Sequence, residues 1–374
     1  MPKLLLTLAM VLVLSLIFRP AQVEAQIEAQ VEPQAEAQVE AEVEPQVETQ
    51  VAPMGTDSPS SPTADAPLTF KAGHTLSPNH PYHLGMLRFA ALVEERTGGQ
   101  IVIEVFPDTE LGSELDLIES LQMGKVDMTV ISTAPLAAFS REFMVYDLPF
   151  IFPDAKTARL VLDGPIGQKS LESVQNISMI GLTFFENGFR HVTNSVRPVV
   201  APGDAKGLRI RTMENRIHMA SFEALGAVPT PMSFAELYGA LKLSRTDGQE
   251  NPIPIIYTSK FFEVQKYCSL TGHFYSPTPM FISLYAWEKL SDEQKLIFRQ
   301  AADEAKDYQR ELIDQQSAEY LAELENLGME VTEVDKAVWL EAMEPVYKRF
   351  ELDIGPEVIE AVKNEIKNLA EANQ

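Results

Sequence analysis

The chain has 374 residues, with 30 Lys+Arg against 54 Asp+Glu for a formal charge of −24, and 45% of it is hydrophobic. That length suits two lobes plus additional segments, and the apolar share suffices for a real core. The acidity argues against a nucleic-acid or anionic-membrane surface, since both are polyanions. The single cysteine, Cys268, excludes an intrachain disulfide framework and a Cys-rich metal module.

The N-terminus opens with Lys3, an apolar run from Leu4 to Phe18, and a polar exit ending in Val-Glu-Ala. This is the pattern of a secretory signal over residues 1–25, with cleavage expected after Ala25. Fifteen apolar residues are short for a hydrocarbon layer about 30 Å thick, so an uncleaved anchor is the alternative rather than the main reading. Residues 26–67 repeat a Gln-Val/Ala-Glu-Pro/Ala theme and then turn rich in Gly, Ser, Pro and Thr. With no aromatic residue and mutually repelling glutamates, this stretch reads as a disordered, acidic, low-complexity tether. The tether carries −9 and the signal +1, which leaves −16 for residues 68–374. The folded part is acidic as well.

From Leu68 the patterning becomes that of an α/β fold. LTFKAG (68–73) alternates as a strand, and His80-Pro81 marks a turn. Tyr82–Arg96 follows as a helix, with Leu84, Leu87, Ala91 and Leu92 on its expected inner face and Gly98-Gly99 as its stop. Ile101–Phe106 is a second strand. Ser113 caps a helix that ends at Gly124, and Val126–Ser132 is a third strand. A second cycle begins with strands at Met179–Phe185 and Leu208–Thr212. It continues with a helix over Arg216–Leu225, a strand over Ala227–Thr230, and a helix capped by Ser233 and Glu236. Two lobes of similar grammar imply a cleft between them. Ser291 and Gln294 form another capping box, and nothing from Asp292 to Asn326 breaks a helix of 35 residues. At 1.5 Å per residue it is about 52 Å long, enough to lie across both lobes.

In the strand around Arg209 and Arg211 both arginines face one way, and Arg211 sits at the C-terminal end, where open α/β sheets bind ligands. A guanidinium there offers a planar fork matched to a carboxylate. Spacing alone favours the plainer reading, a surface arginine paired with one of the many glutamates. Arg190 supplies a second arginine just after a strand, so the two can form one positive pocket. Asp247–Pro252 reads as a polar turn, in which the Asn251 amide offers both a donor and an acceptor. His74, His80 and His83 lack a companion metal motif, and a turn plus a helix start explains them better. Cys268 and His273 show no nucleophile elbow, and no Gly-rich phosphate loop follows any strand.

The segments HPYH (80–83), DLPFIF (147–152), ENGFRHVTNS (186–195), KGLRIRTMEN (206–215), GAVPTPMSFAELYGAL (226–241) and DGQENP (247–252) occur in an order that resembles one family. It is the solute-binding proteins of tripartite ATP-independent periplasmic (TRAP) transporters. The likeness runs from about Leu68 to the C-terminus, and only the tether departs from the usual pattern.

The resemblance implies a two-lobed periplasmic receptor, with lobe I over 68–187 plus 277–316 and lobe II over 188–276 plus 317–374. The long helix braces both. An organic acid is held between them, with its carboxylate on Arg211, a second ligand arginine at Arg190 and a polar contact from Asn251. Glu114, Ser132, His74, Asn215 and His273 are further candidates. Glu114 and His74 either bind sugar hydroxyls or cap local backbone, and His273 is equally readable as a satisfied hinge histidine. No cofactor, metal or catalytic group is implied. The expected partners are the organic acid and the transporter's membrane subunits, with no nucleic acid, no direct lipid binding and a monomeric state. A uronate or aldonate type of sugar acid fits first and a C4-dicarboxylate next. A membrane-tethered sensory receptor and an exported enzyme acting on carboxylated sugars are the rival readings.

Overall fold

The computed structural model describes residues 66–372. The expected signal, and all but the last two residues of the expected tether, lie outside the described residues. Nine strands form one mixed sheet: β1 (Leu68–Gly73), β2 (Ile101–Phe106), β3 (Met128–Val130), β4 (Met179–Asn194), β5 (Arg209–Thr212), β6 (Val228–Pro231), β7 (Gly248–Pro252), β8 (Tyr267–Ser283) and β9 (Glu330–Glu333). The order across the sheet is β2-β1-β3-β8-β4-β7-β5-β6, with β9 alongside β8.

Two long antiparallel strands, β4 and β8, tie the sheet together. The end of β8 pairs with β3, and the start of β4 pairs with that same stretch of β8. The far end of β4, Arg190–Asn194, stays paired with β8 and on its other edge also pairs with β7, which continues in parallel to β5 and β6. β8 thus borders one parallel group and β4 the other, and their mutual pairing joins the two. The register of β4 shifts between Glu186 and Gly188, where Gly188 takes φ 87°, a conformation that glycine adopts without Cβ strain. This is the crossing between the two halves.

Helices cover both faces: α1 (Pro81–Arg96), α2 (Glu114–Gln122), α3 (Thr133–Leu136), α4 (Ala155–Asp163), α5 (Pro165–Ser173), α6 (Arg216–Ala224), α7 (Phe234–Lys242), α8 (Ile253–Thr258), α9 (Leu284–Trp287), α10 (Asp292–Asn326), α11 (Lys336–Ile354) and α12 (Pro356–Ala372). Because successive strand residues point to opposite faces, Phe184 joins one buried cluster with Phe143, Phe274 and Trp339. Its neighbour Phe185 joins another with Phe70, Phe89 and Phe298. Burial on both faces explains why the first ten residues of β4 are all buried instead of alternating.

The helix expected over Asp292–Asn326 is α10, capped by the reciprocal Ser291–Gln294 pair. It touches one half through Glu304, which accepts from Arg96 at 2.6 Å, and the other through Tyr320, stacked 4.1 Å from Tyr257. Sixteen residues separate these contacts, about 24 Å along the axis. Between them the Gln309 amide closes on the Glu186 backbone from both sides, at 3.1 and 2.7 Å. The long helix therefore spans the crossing.

Three local expectations need correction. The inner face of α1 is Tyr82, Met86, Phe89, Leu92 and Val93, while Leu87 and Ala91 are exposed: the bulkier stripe wins the core position. Residues 247–252, expected as a polar turn, contain the fully buried strand β7, because their polar side chains are paired inside the protein. The strand beginning at Met179 does not stop at Phe185 but continues through the glycine bulge to Asn194. Among the described residues no helix is long and apolar enough to cross a membrane.

Candidate functional site

The carboxyl ends of β1 and β3 from one half and of β5 and β7 from the other converge on a small cavity. Its wall includes Thr75 and Leu76 after β1, Glu114 at the start of α2, and Ser132 after β3. From the crossing and the other half come Asn187, Arg190, Arg211, Asn251 and Phe234. The sheet topology, not sequence proximity, assembles this set.

Arg211 is 3% exposed, and its guanidinium is only partly partnered. Nε and Nη2 both donate to the Met232 carbonyl, at 3.0 and 2.8 Å, which orients the fork. Nη1 is buried and donates to nothing. Burial pulls the Arg211 pKa down to about 10, against the favourable pull of Glu250. A buried cation with a free donor in a cavity is the chemistry of an anion site.

Arg190 is different. Nε and Nη2 clasp the Glu250 carboxylate, and Nη2 also donates to the Glu250 carbonyl at 2.6 Å and to Asn251 Oδ1 at 3.0 Å. Burial by itself would raise the Glu250 carboxyl, but the Arg190 charge and the nearby His273 hold it well below the usual carboxylate range. Arg190 therefore lines the cavity with its charge already compensated. Both arginines of the expected positive pocket line the cavity, Arg211 with Nη1 unpaired and Arg190 with its Nε and Nη2 edge given to Glu250 and Asn251. The Asn251 amide, which also donates to Gln249, is held at the wall by this network.

The remaining polar wall is short of partners. The Tyr82 hydroxyl lies among Thr278, Ser132 and Asn187 without a well-formed hydrogen bond, and its pKa is raised beyond the ordinary phenol range, chiefly by burial. Asn187 Oδ1 is likewise buried and unpaired. Glu114 Oε1 accepts from the Ser132 backbone N–H at 2.6 Å. Burial raises the Glu114 carboxyl, opposed by Ser132, Arg211 and Arg190.

Of the sequence candidates, Arg211, Arg190, Asn251, Glu114 and Ser132 meet at the cavity, and three do not. His74 lies one residue outside the wall. Its Nδ1 accepts from the Leu76 backbone, which leaves the proton on Nε2 to be donated to His83 at 3.1 Å. Burial pushes its pKa down to about 3, so the ring is neutral and offers no positive charge to an anion. No group of three or more potential metal ligands occurs among the described residues. His273 stands behind Glu250, 3.3 Å from Oε2, with Thr271 Oγ1 2.7 Å from its Nδ1.

Asn215 is fully employed elsewhere: Oδ1 caps α6 by accepting from Ile217 and His218, while Nδ2 donates to Ala134 O and Asp147 Oδ2, each at 2.8 Å. Asn215→Ala should therefore lower unfolding stability by about 2 kcal/mol through the lost cap and buried bonds. Urea unfolding checks this, and an unchanged midpoint would contradict the structural assignment.

Tyr82, Asn187 and Glu250 were not singled out by sequence reasoning. All three sit inside segments that carry the resemblance (HPYH, ENGFRH and DGQENP), where the arginine and the second histidine draw attention first.

Residues 72–353 match the sequence profile of DctP, the bacterial extracellular solute-binding protein, family 7. The chain is similar to the 2,3-diketo-L-gulonate-binding periplasmic protein YiaO of Escherichia coli (strain K12), 35% identical over 78% of this chain and 89% of that protein. A TRAP periplasmic solute-binding protein from Polaromonas sp. JS666, bound to D-erythronate, is 43% identical, with a TM-score of 0.78 over 79% of this chain and 98% of the other. A TRAP periplasmic solute-binding protein from Sulfurospirillum deleyianum, with bound succinate, is 32% identical, with a TM-score of 0.77 over 80% and 99%.

Proposed function

We propose that this chain, which belongs to the bacterial extracellular solute-binding proteins of family 7, is the exported organic-acid receptor of a TRAP transporter, with a sugar acid of the aldonate or uronate type as its ligand. The observation that carries this reading is the unpaired, buried Nη1 of Arg211 in a cavity whose wall also holds the unpaired Tyr82 hydroxyl and Asn187 Oδ1. The ligand carboxylate pairs with Arg211, and Tyr82, Asn187 and Glu114 meet the hydroxyls. Arg190 and Asn251 hold the opposite wall.

Lobe I (68–187 plus 277–316) and lobe II (188–276 plus 317–374) close on the acid because it contacts both, and its differential affinity sets the closed population. The closed receptor then delivers the acid to the membrane subunits. Binding and delivery, not catalysis, is the role this reading assigns, as for the solute-binding family to which the chain belongs. A C4-dicarboxylate stands second, on the strength of the succinate-bound relative.

Thermal unfolding of the purified protein with D-erythronate, D-galactonate, D-glucuronate and succinate tests the reading. A ligand that binds only the folded state adds about 2.7 kcal/mol at one hundred times Kd. A rise from a sugar acid is the expected result. Flat profiles with every acid would remove the organic-acid assignment.

A further inference from the structure

Resting on that reading, we propose that Arg159, outside the cavity, is a positioning residue for ligand binding: through Glu186 it sets where Asn187 meets the acid. Asn187 is the extra residue at the bulge in β4. Glu186 pairs with Pro277 and Gly188 with Ser276, so Asn187 has no register partner in β8. A bulge re-aims a side chain and disrupts the local ladder. The re-aimed group is a buried amide on the cavity wall, with its Oδ1 unpaired. Its place has to be fixed by something other than the ladder.

The preceding residue, Glu186, is held on every side. Gln309 of α10 closes on its backbone N–H and carbonyl, at 3.1 and 2.7 Å. Its buried carboxylate accepts from Arg159 Nε at 2.8 Å, from Arg159 Nη2, and from the Tyr275 hydroxyl of β8. Arg159, on α4, reaches further to Asp314 of α10, donating from Nη1 and Nη2 at 2.8 and 2.7 Å. One guanidinium thus ties α4, the bulge and the long helix together without lining the cavity. A buried ion pair adds little net stability over apolar packing, whereas its bidentate bonds impose a geometry. Geometry is what the bulge lacks.

Double-mutant cycles on the whole protein, read by titration calorimetry with D-erythronate and D-galactonate, test this. Asn187→Ala and Arg159→Gln should each weaken binding about 10-fold. Asp314→Ala removes only the exposed arm of the clamp, and should weaken binding about 3-fold with the unfolding midpoint close to wild type. In the Asn187→Ala background the Arg159 and Asp314 losses should both shrink to within about 2-fold, because the positioned group is gone. A general loosening of the fold would give additive losses instead. Glu304→Gln, which cuts an ion pair of comparable exposure between α10 and α1, should leave affinity unchanged in either background. If Arg159→Gln does not fold, Asp314→Ala carries the cycle alone. Losses that persist in full without Asn187, clamp variants that bind like the wild type, or an Asn187→Ala variant that does so, overturn the assignment. A wild-type protein that binds neither acid overturns the sugar-acid reading itself, and the assignment with it.

Discussion

Arg211→Ala is expected to abolish acid-induced stabilisation while leaving the unliganded protein folded. Each charge-assisted hydrogen bond to a carboxylate contributes roughly 1.5–3 kcal/mol, so losing a two-pronged contact weakens binding by about 100-fold or more. The unliganded protein loses little, because burial has already pulled the Arg211 pKa down to about 10, a cost on the order of 3 kcal/mol. Removing the cation returns that cost and gives up the two bonds to the Met232 carbonyl. Arg211→Lys should recover part of the affinity, as a point charge without the planar fork. Calorimetric titration combined with the unfolding midpoint reads both quantities. An alanine variant that binds as tightly as the wild-type protein would make Arg211 purely structural.

Glu250→Gln is expected to have the larger effect on stability. Arg190 and Glu250 are 1% and 0% exposed, so the substitution leaves a guanidinium buried without its counter-charge. Breaking such a pair from one side costs about 3–5 kcal/mol. In a protein of this size that lowers the unfolding midpoint by on the order of 10 °C. Replacing both partners by apolar residues, Arg190→Met with Glu250→Leu, should restore much of the loss, since neither charge is then stranded. A single variant within about 1 kcal/mol of the wild-type protein would mean that Arg190 finds another partner.

The two expectations differ because the two arginines do. From the sequence they were equivalent, each a basic residue near a strand end. What separates them is the state of their partners. Glu250 lies sixty positions from Arg190 and reaches it only because β4 and β7 pair in antiparallel register, placing Arg190 opposite Pro252. No local pattern encodes that register. The same holds for Asn215, whose capping role was readable from its place before α6, but whose bonds to Ala134 and Asp147 cross about seventy to eighty residues of chain.

Elements governed by local rules were legible. The 35 residues of α10 follow from a capping box and an uninterrupted run of helix formers, and β2 from a β-branched stretch closed by Pro107. The strands at the centre of the sheet were less so. In β8 the segment TGHFYSPTP carries glycine, serine and two prolines, which locally argue against a strand. Tertiary pairing with β4 and burial on both faces override that preference. β7 was misread for a related reason: its Gln249, Glu250 and Asn251 look solvated until their buried partners are known.

A crystal structure of the protein with whichever acid stabilises it most tests the central claim directly. The account predicts the ligand carboxylate on Arg211, with Nη1 about 2.7–2.9 Å from a carboxylate oxygen and the Arg190–Glu250 pair intact behind it. A carboxylate placed on Arg190 with Arg211 Nη1 still unpaired, or an acid bound outside this cavity, would contradict it.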